Sequence, residues 1–258
     1  MTTALIITTY NRPEALELVL LSVAQQTCLP SEIIIADDGS SDETKKLIEE
    51  ISSRISVPIL HAWQADMGFR AAMARNNALR MANSTYIIMI DGDMVLHPGF
   101  IQDHIDVSEE GTFVQGGRVL LSEKKTEEVL GLKSLAFSIF GKGIQNRKNA
   151  LRSPLLSYFF SKVNQSIHGI KTCNLALFRK DVLAINGFDN TFVGWGREDS
   201  EFAVRLLNSG LKRKNIRFLA IAYHLYHQEN PRKSLPENDK RLQQSIDAKS
   251  VWCKDGIQ

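Results

Sequence analysis

Short apolar runs that stop abruptly at polar residues constrain this chain more than any other feature. ALIITT (residues 4–9), EIIIA (32–36) and TYIIMI (85–90) are too short for helices and rich in β-branched residues, so they read as buried strands. Residues 57–61 form a fourth short run. Helical patterns lie between them. Pro13 suits the first turn of a helix, and Ala15, Leu16, Val19, Leu20 and Val23 recur at helical spacing. SDETKKLIEEI follows with Ser41 or Asp42 as its N-cap, and residues 70–83 make a third helix. This alternation predicts an α/β fold with a mostly parallel sheet flanked by helices. In such sheets ligands bind beyond the carboxyl ends of the strands. If the strands are adjacent, Thr8, Thr9, Asp37, Asp38, Asp91 and Asp93 converge on one crevice.

Each constellation has a plainer alternative. A carboxylate at the Asp37–Ser40 turn can accept the imide N–H of uracil or ribose hydroxyls, but the same residues make an ordinary turn and helix cap. Asp91-Gly92-Asp93 puts two carboxylates beside each other just past a buried strand, which is costly unless a cation sits between them. Oxygen ligands of this kind suit Mg²⁺ or Mn²⁺ held jointly with substrate phosphates. Gly194-Trp195-Gly196-Arg197-Glu198-Asp199 reads as an ordered loop entering a helix. Trp195 can face a sugar ring and Glu198 or Asp199 can take a proton, although acids also favour any helix N-terminus. His224 and His227 are candidates to complete a metal site. Three residues apart on a strand-like segment, they face opposite sides, so only one reaches a given metal.

Composition narrows the setting. The 258 residues suffice for one large domain, or one with an appended subdomain, and 43% hydrophobic content excludes wholesale disorder. A net charge of +2 names no partner, and no nucleic acid is expected. Three cysteines, widely spaced, imply neither a disulfide framework nor a zinc cluster. The opening MTTALIITTYNRPE lacks a basic leader and no run is long enough to span a bilayer, so the expectation is a cytoplasmic protein. From Val129 to Lys180 there is no Asp or Glu, while lysines, arginines and aromatics abound. This stretch is either a solvated basic face or a flap meeting an anionic partner, such as the inner face of the cytoplasmic membrane. A polar tail ends in a helix over residues 237–252.

Taken together, these segments resemble family 2-type glycosyltransferases of the GT-A fold. ALIITTYNRPEALELVLLSVAQQT, EIIIADDGSSDET and MGFRAAMARNNALRMANSTYIIMIDGDMVLHPGFI match that signature in order and spacing. GFDNTFVGWGREDSEFAVRLLNSG resembles the WGxED acceptor segment of β1,4-galactosyltransferases and bacterial chondroitin-type polymerases. The resemblance covers roughly residues 4–121 and 168–230, and residues 129–165 match nothing nameable. It implies a nucleotide-sugar half over 1–121, an acceptor half over 122–230 with a basic flap at 129–165, and a helical tail over 231–258.

By the same resemblance, Thr8, Tyr10, Arg12 and Asp37 surround the nucleotide, with Asp37 facing the base. Gly68, Phe69, Arg70, Arg75 and Asn76 line the donor pocket. Asp91 and Asp93 form the DxD pair, with Asp93 the direct ligand of Mn²⁺ or Mg²⁺. His227, in an HQEN run, completes the metal site, with His224 in reserve. Asp199 is the catalytic base, and Glu198 and Trp195 contact the acceptor. The implied reaction is inverting transfer from a nucleoside-diphosphate sugar (a UDP-hexose or UDP-N-acetylhexosamine) to a glycan or lipid-linked glycan hydroxyl, in bacterial surface polysaccharide or lipopolysaccharide synthesis. Two other classes remain: a sugar-nucleotide nucleotidyltransferase, and a non-catalytic nucleotide- or carbohydrate-binding module. The first needs a glycine-rich loop after the first strand, where this chain has TTYNRPEA.

Overall fold

A computed structural model describes residues 1–228 and 231–258. The first part alternates regularly: β1 (Thr3–Thr9), α1 (Pro13–Ala24), β2 (Glu32–Asp37), α2 (Asp42–Ser52), β3 (Ile59–Trp63), α3 (Ala71–Met81) and β4 (Tyr86–Asp91). Then come β5 (Met94–Leu96), α4 (Phe100–Val107), β6 (Thr112–Gln115), β7 (Val119–Leu120), α5 (Glu123–Leu132) and a 3₁₀ turn at Arg147–Ala150. The chain continues through α6 (Pro154–Phe160), β8 (Lys162–Asn164), β9 (Asn174–Phe178), α7 (Arg179–Ala184), α8 (Glu198–Asn208), β10 (Lys212–Asn215), β11 (Ala222–His224) and α9 (Leu235–Asp247).

One eight-stranded sheet runs in the order β3-β2-β1-β4-β9-β6-β10-β8. The first four strands are mutually parallel, and β9 runs against both β4 and β6. Alternation along each central strand sends side chains to two faces. Leu5, Ile7, Ile33, Ile35, Ile88 and Ile90 pack with Leu16, Val19 and Leu20 of α1. Ala4, Ile6, Ile34, Ala36, Ile87 and Met89 pack with Ala74, Ala78 and Leu79 of α3. Strands covered on both faces carry continuous apolar runs, which is why they are legible in the sequence.

A smaller sheet, β5-β11-β7, sits at the carboxyl side. Its register pairs His224 with Met94, the residue after Asp93, and the Leu225 N–H donates to the Asp93 carbonyl. The main sheet runs on past residue 121, with β6 pairing with both β9 and β10. The helical tail packs on the rest: α9 lies on α8, and Asn186 and Arg80 bind backbone at 253 and 256–257. Among the described residues, no helix is long and apolar enough to cross a membrane.

Candidate active site

The carboxyl ends of β1, β2 and β4 do lie side by side. Thr8 is opposite Asp91, and Thr9 is opposite Asp37. Gly39 makes the turn after β2 possible. It has φ +96°, and a Cβ there would meet the Asp66 backbone at 2.5 Å.

Asp93, His224 and His227 have ligand atoms within 4.8 Å of one another. His224 Nε2 is 3.7 Å from Asp93 Oδ1, and His227 Nε2 is 3.5 Å from Oδ2. Both histidines therefore reach the same point, contrary to the expectation from strand alternation. β11 ends at His224, so the alternation does not extend to His227. Glu229 and Asn230 of the HQEN run lie outside the described residues. Among the described residues, the buried Asp93 Oδ1 has no hydrogen-bond partner, an expensive state that a cation would relieve. Burial raises the Asp93 carboxyl, opposed by the charges of Arg12, His227 and Arg118. Burial, helped by Arg118, pulls His224 down to about 3, which keeps its imidazole neutral and able to ligate. One carboxylate and two imidazoles form a donor set that divalent transition metals accept, so the residues fit a divalent cation.

Asp91 stands apart from that cluster. Its carboxylate faces Arg75 at 3.4 Å, while Arg12 Nη1 donates to Asp93 Oδ2 at 2.9 Å. Each DxD acid thus has an arginine beside it. Arg75 is buried. Besides Asp91 it reaches Glu198 and Asp199 at 3.3 Å each, and its Nε donates to Thr8 Oγ1. It joins the DxD strand end to the WGRED loop. Burial raises the Glu198 carboxyl, Asp199 adds to this, and Arg75 opposes it. The Thr172 N–H and hydroxyl both donate to Asp199, at 3.0 and 2.7 Å.

A cavity of about 290 Å³ is lined by Tyr10, Asp38, Gly68, Phe69, Gly194, Trp195, Pro231, Lys233 and Ser234, while Arg12 and His227 line a second one with Tyr226 and Gln228. The Arg232 guanidinium lies 5.3 Å from the centre of the Trp195 ring. Gly194 has φ +78°, and a Cβ would strike the Ser234 side chain at 2.1 Å, so Trp195 depends on that glycine for its place.

Two residues expected to contact ligand are engaged within the protein. Asp37 has no exposed surface and both oxygens are engaged, by the Ser40 N–H and by His61 Nε2, each at 2.8 Å. Burial works against its charge, yet those hydrogen bonds hold its carboxyl below the usual value. The carboxylate this turn gives to the cavity is Asp38, one residue on and past the strand's last ladder pair. Asn76 is also fully buried. Its amide donates to the Phe188 carbonyl and to Asn190, and its oxygen accepts from the Phe188 N–H, so it braces the loop before Trp195. Arg70 caps α3 and gives its backbone N–H to Asp38. Neither Thr172 nor Arg118 belongs to a motif, so reading the sequence misses both. Only the Gly116-Gly117 pair before Arg118 marks that loop, and Gly116 lies where any Cβ would overlap Asn174.

The sequence profile of glycosyl transferase family 2 matches residues 4–184, and that of the N-terminal domain of galactosyltransferase matches residues 156–228. The chain is 28% identical over 262 residues to chondroitin synthase of Escherichia coli, covering 94% of this chain and 37% of that protein. It is 28% identical over 259 residues to hyaluronan synthase of Pasteurella multocida, covering 94% of this chain and 26% of that protein. The chain therefore spans only about a quarter to two fifths of these relatives' length. Among solved structures, S. aureus TarS 1–349 in complex with UDP superposes with TM-score 0.66 at 16% identity, covering 96% of this chain and 65% of that one. TarS 1–349 in complex with UDP-GlcNAc gives 0.64 at 16% identity, covering 96% and 66%. The fold is the GT-A arrangement, and with its profile matched across most of its length this chain belongs to glycosyl transferase family 2.

Proposed function

We propose that the chain catalyses inverting, metal-dependent transfer of a sugar from a UDP-hexose or UDP-N-acetylhexosamine to a hydroxyl of a glycan or lipid-linked glycan, in making a bacterial surface polysaccharide or lipopolysaccharide. The observation that carries this reading is that an Asp93 oxygen without a hydrogen-bond partner among the described residues stands by two histidines, while Arg75 ties Asp91 of the same strand end to the Glu198–Asp199 pair. The resemblance to chondroitin and hyaluronan synthases supports a glycan acceptor, and that to TarS complexes with UDP and UDP-GlcNAc supports the donor.

Asp93, His224 and His227 would hold Mn²⁺ or Mg²⁺. Such an ion supplies Lewis-acid stabilisation of the departing diphosphate. Tyr10, Asp38, Gly68 and Phe69 line the donor side of the cavity, and Trp195 lies against the acceptor ring. Asp199, held by Thr172 and Arg75, takes the proton of the attacking hydroxyl. A single base opposite the leaving group gives inversion by direct displacement. Glu198, kept protonatable by burial, contacts the acceptor hydroxyls.

UDP release across a panel of UDP-sugars tests the reading. Release should need Mn²⁺ or Mg²⁺, stop in excess EDTA and vanish in Asp93→Ala. Asp199→Asn should bind donor yet lose transfer by about a hundredfold or more. Full turnover in EDTA would overturn the metal assignment, and normal turnover of Asp199→Asn would move the base to Glu198.

A further inference from the structure

Helix α6 is inside out. Its one buried residue is Ser157, whose hydroxyl meets that of Ser161 at 2.9 Å, and Ser153 caps the helix by accepting from the Leu156 N–H. Serines at 153, 157 and 161 thus mark the face turned to the protein. Leu155, Tyr158 and Phe159 point outward at 69%, 82% and 67% exposure, and Phe160 and Val163 are each half exposed. A helix resting on a protein core shows the opposite pattern. Large side chains this exposed and contiguous mark a surface made to be covered.

Charge identifies the cover. Lys162, between Phe160 and Val163, is exposed, as is Arg217, whose backbone N–H donates to Ser161 Oγ. No acid occurs between Val129 and Lys180. Of the acids on neighbouring elements, Asp103 pairs with Arg152, Glu109 with Lys214 and Glu110 with Lys180, while the exposed Asp106 of α4 accepts from Gln102 and lends its charge to Arg152. We propose that the α6–β8 ridge docks on an anionic lipid bilayer, with Leu155, Tyr158 and Phe159 entering the interface and Lys162 and Arg217 meeting the headgroups. Apolar side chains backed by cations are what such a surface takes up. A second copy of the chain fits less well, because a two-fold contact would set these cations against their own copies. The rest of the acid-free stretch contributes less than its sequence promised. Phe137 stacks on Tyr223 at 4.0 Å, and Arg152 gives Nε and Nη2 to Asp103, although Phe140 stands exposed.

Flotation with phosphatidylcholine vesicles, with and without phosphatidylglycerol, tests this without any turnover. The wild-type chain should float with the anionic vesicles at low salt, and release as salt rises. Leu155→Ser/Tyr158→Ser/Phe159→Ser should weaken flotation about tenfold or more, and Lys162→Gln/Arg217→Gln should weaken it while reducing its salt dependence. Both variants should melt like the wild type, since the altered side chains are exposed. Absence of flotation at low salt, or flotation unchanged in the triple variant, overturns the proposal. So does sedimentation equilibrium showing a wild-type dimer that the triple variant dissolves.

Discussion

Asp199 receives three donors: the Thr172 N–H at 3.0 Å, the Thr172 hydroxyl at 2.7 Å and Arg75 at 3.3 Å. Thr172→Val would remove the hydroxyl and leave the backbone donor. The expected result is a fall in kcat of about tenfold, the worth of one hydrogen bond to a charged group, with the donor KM unchanged. Thr172→Ser should restore the rate, which separates orientation of the base from a packing defect. Steady-state UDP release reads both quantities, and a fall in Thr172→Ser equal to that in Thr172→Val would sink this role for the hydroxyl. At this scale the sequence is legible where chemistry and spacing coincide. Asp93 and Asp199 stand in short runs that draw the eye, Asp91-Gly92-Asp93 and Gly194–Asp199. Thr172 sits 27 residues before its partner and only the folded chain brings them together. Asp37 and Asp38 differ by one position, and which of them faces the cavity depends on where the strand ends.

Helix α8 serves two ends at once. Its first turn holds Glu198 and Asp199 towards the site, while Glu201 turns inward to a bidentate contact with Arg205 at 2.7 and 2.8 Å. Arg205 is fully buried and also donates to the Ile185 carbonyl. Removing it strands a carboxylate in the core, so Arg205→Ala should lose about 3–5 kcal/mol of stability. Asp239→Ala, which breaks the exposed pair with Arg197, should cost under about 1 kcal/mol. Urea unfolding of the two variants checks the contrast, and equal costs would contradict it. Entry to this helix is strained. Arg197 has φ +78° without being glycine, directly before the two acids. Strands buried on both faces announce themselves through apolar runs. By contrast, β11 has three residues and β7 two, too few for any period to show, so the small sheet that sets His224 beside Asp93 is invisible in the sequence.

At the scale of the whole molecule, the parallel strands and the antiparallel part share one sheet, and His104 sits near where they are tied together. Its Nε2 bonds Asn174 Oδ1 at 2.9 Å, and the Asn174 amide reaches the carbonyls of Gly117 and Ala220. This links α4, β9, the Arg118 loop and the approach to β11. Since Asn174 Oδ1 accepts, Nε2 carries the hydrogen, and Nδ1 is left buried without a partner among the described residues. Burial pulls the imidazole down to about 4, against the hydrogen bond to Asn174 and the charge of Asp103. The unfolded chain titrates near the ordinary value of about 6.5, so between the two values it binds the proton more readily than the folded chain does. The stability His104 contributes is therefore whole above about pH 6.5, and it is lost as pH falls towards about 4, by about 3 kcal/mol at most. Asp91, Asp93 and Glu198, all raised by burial, act in the opposite sense over part of this range. The total stability curve would hide the effect, but a difference would not. Chemical unfolding of the wild type and of His104→Gln, in EDTA from pH 7.5 to 4, isolates the contribution. The gap between them should narrow steadily below about pH 6.5. A gap independent of pH would mean that His104 titrates normally in the fold, and that the site's frame does not rest on a buried neutral imidazole.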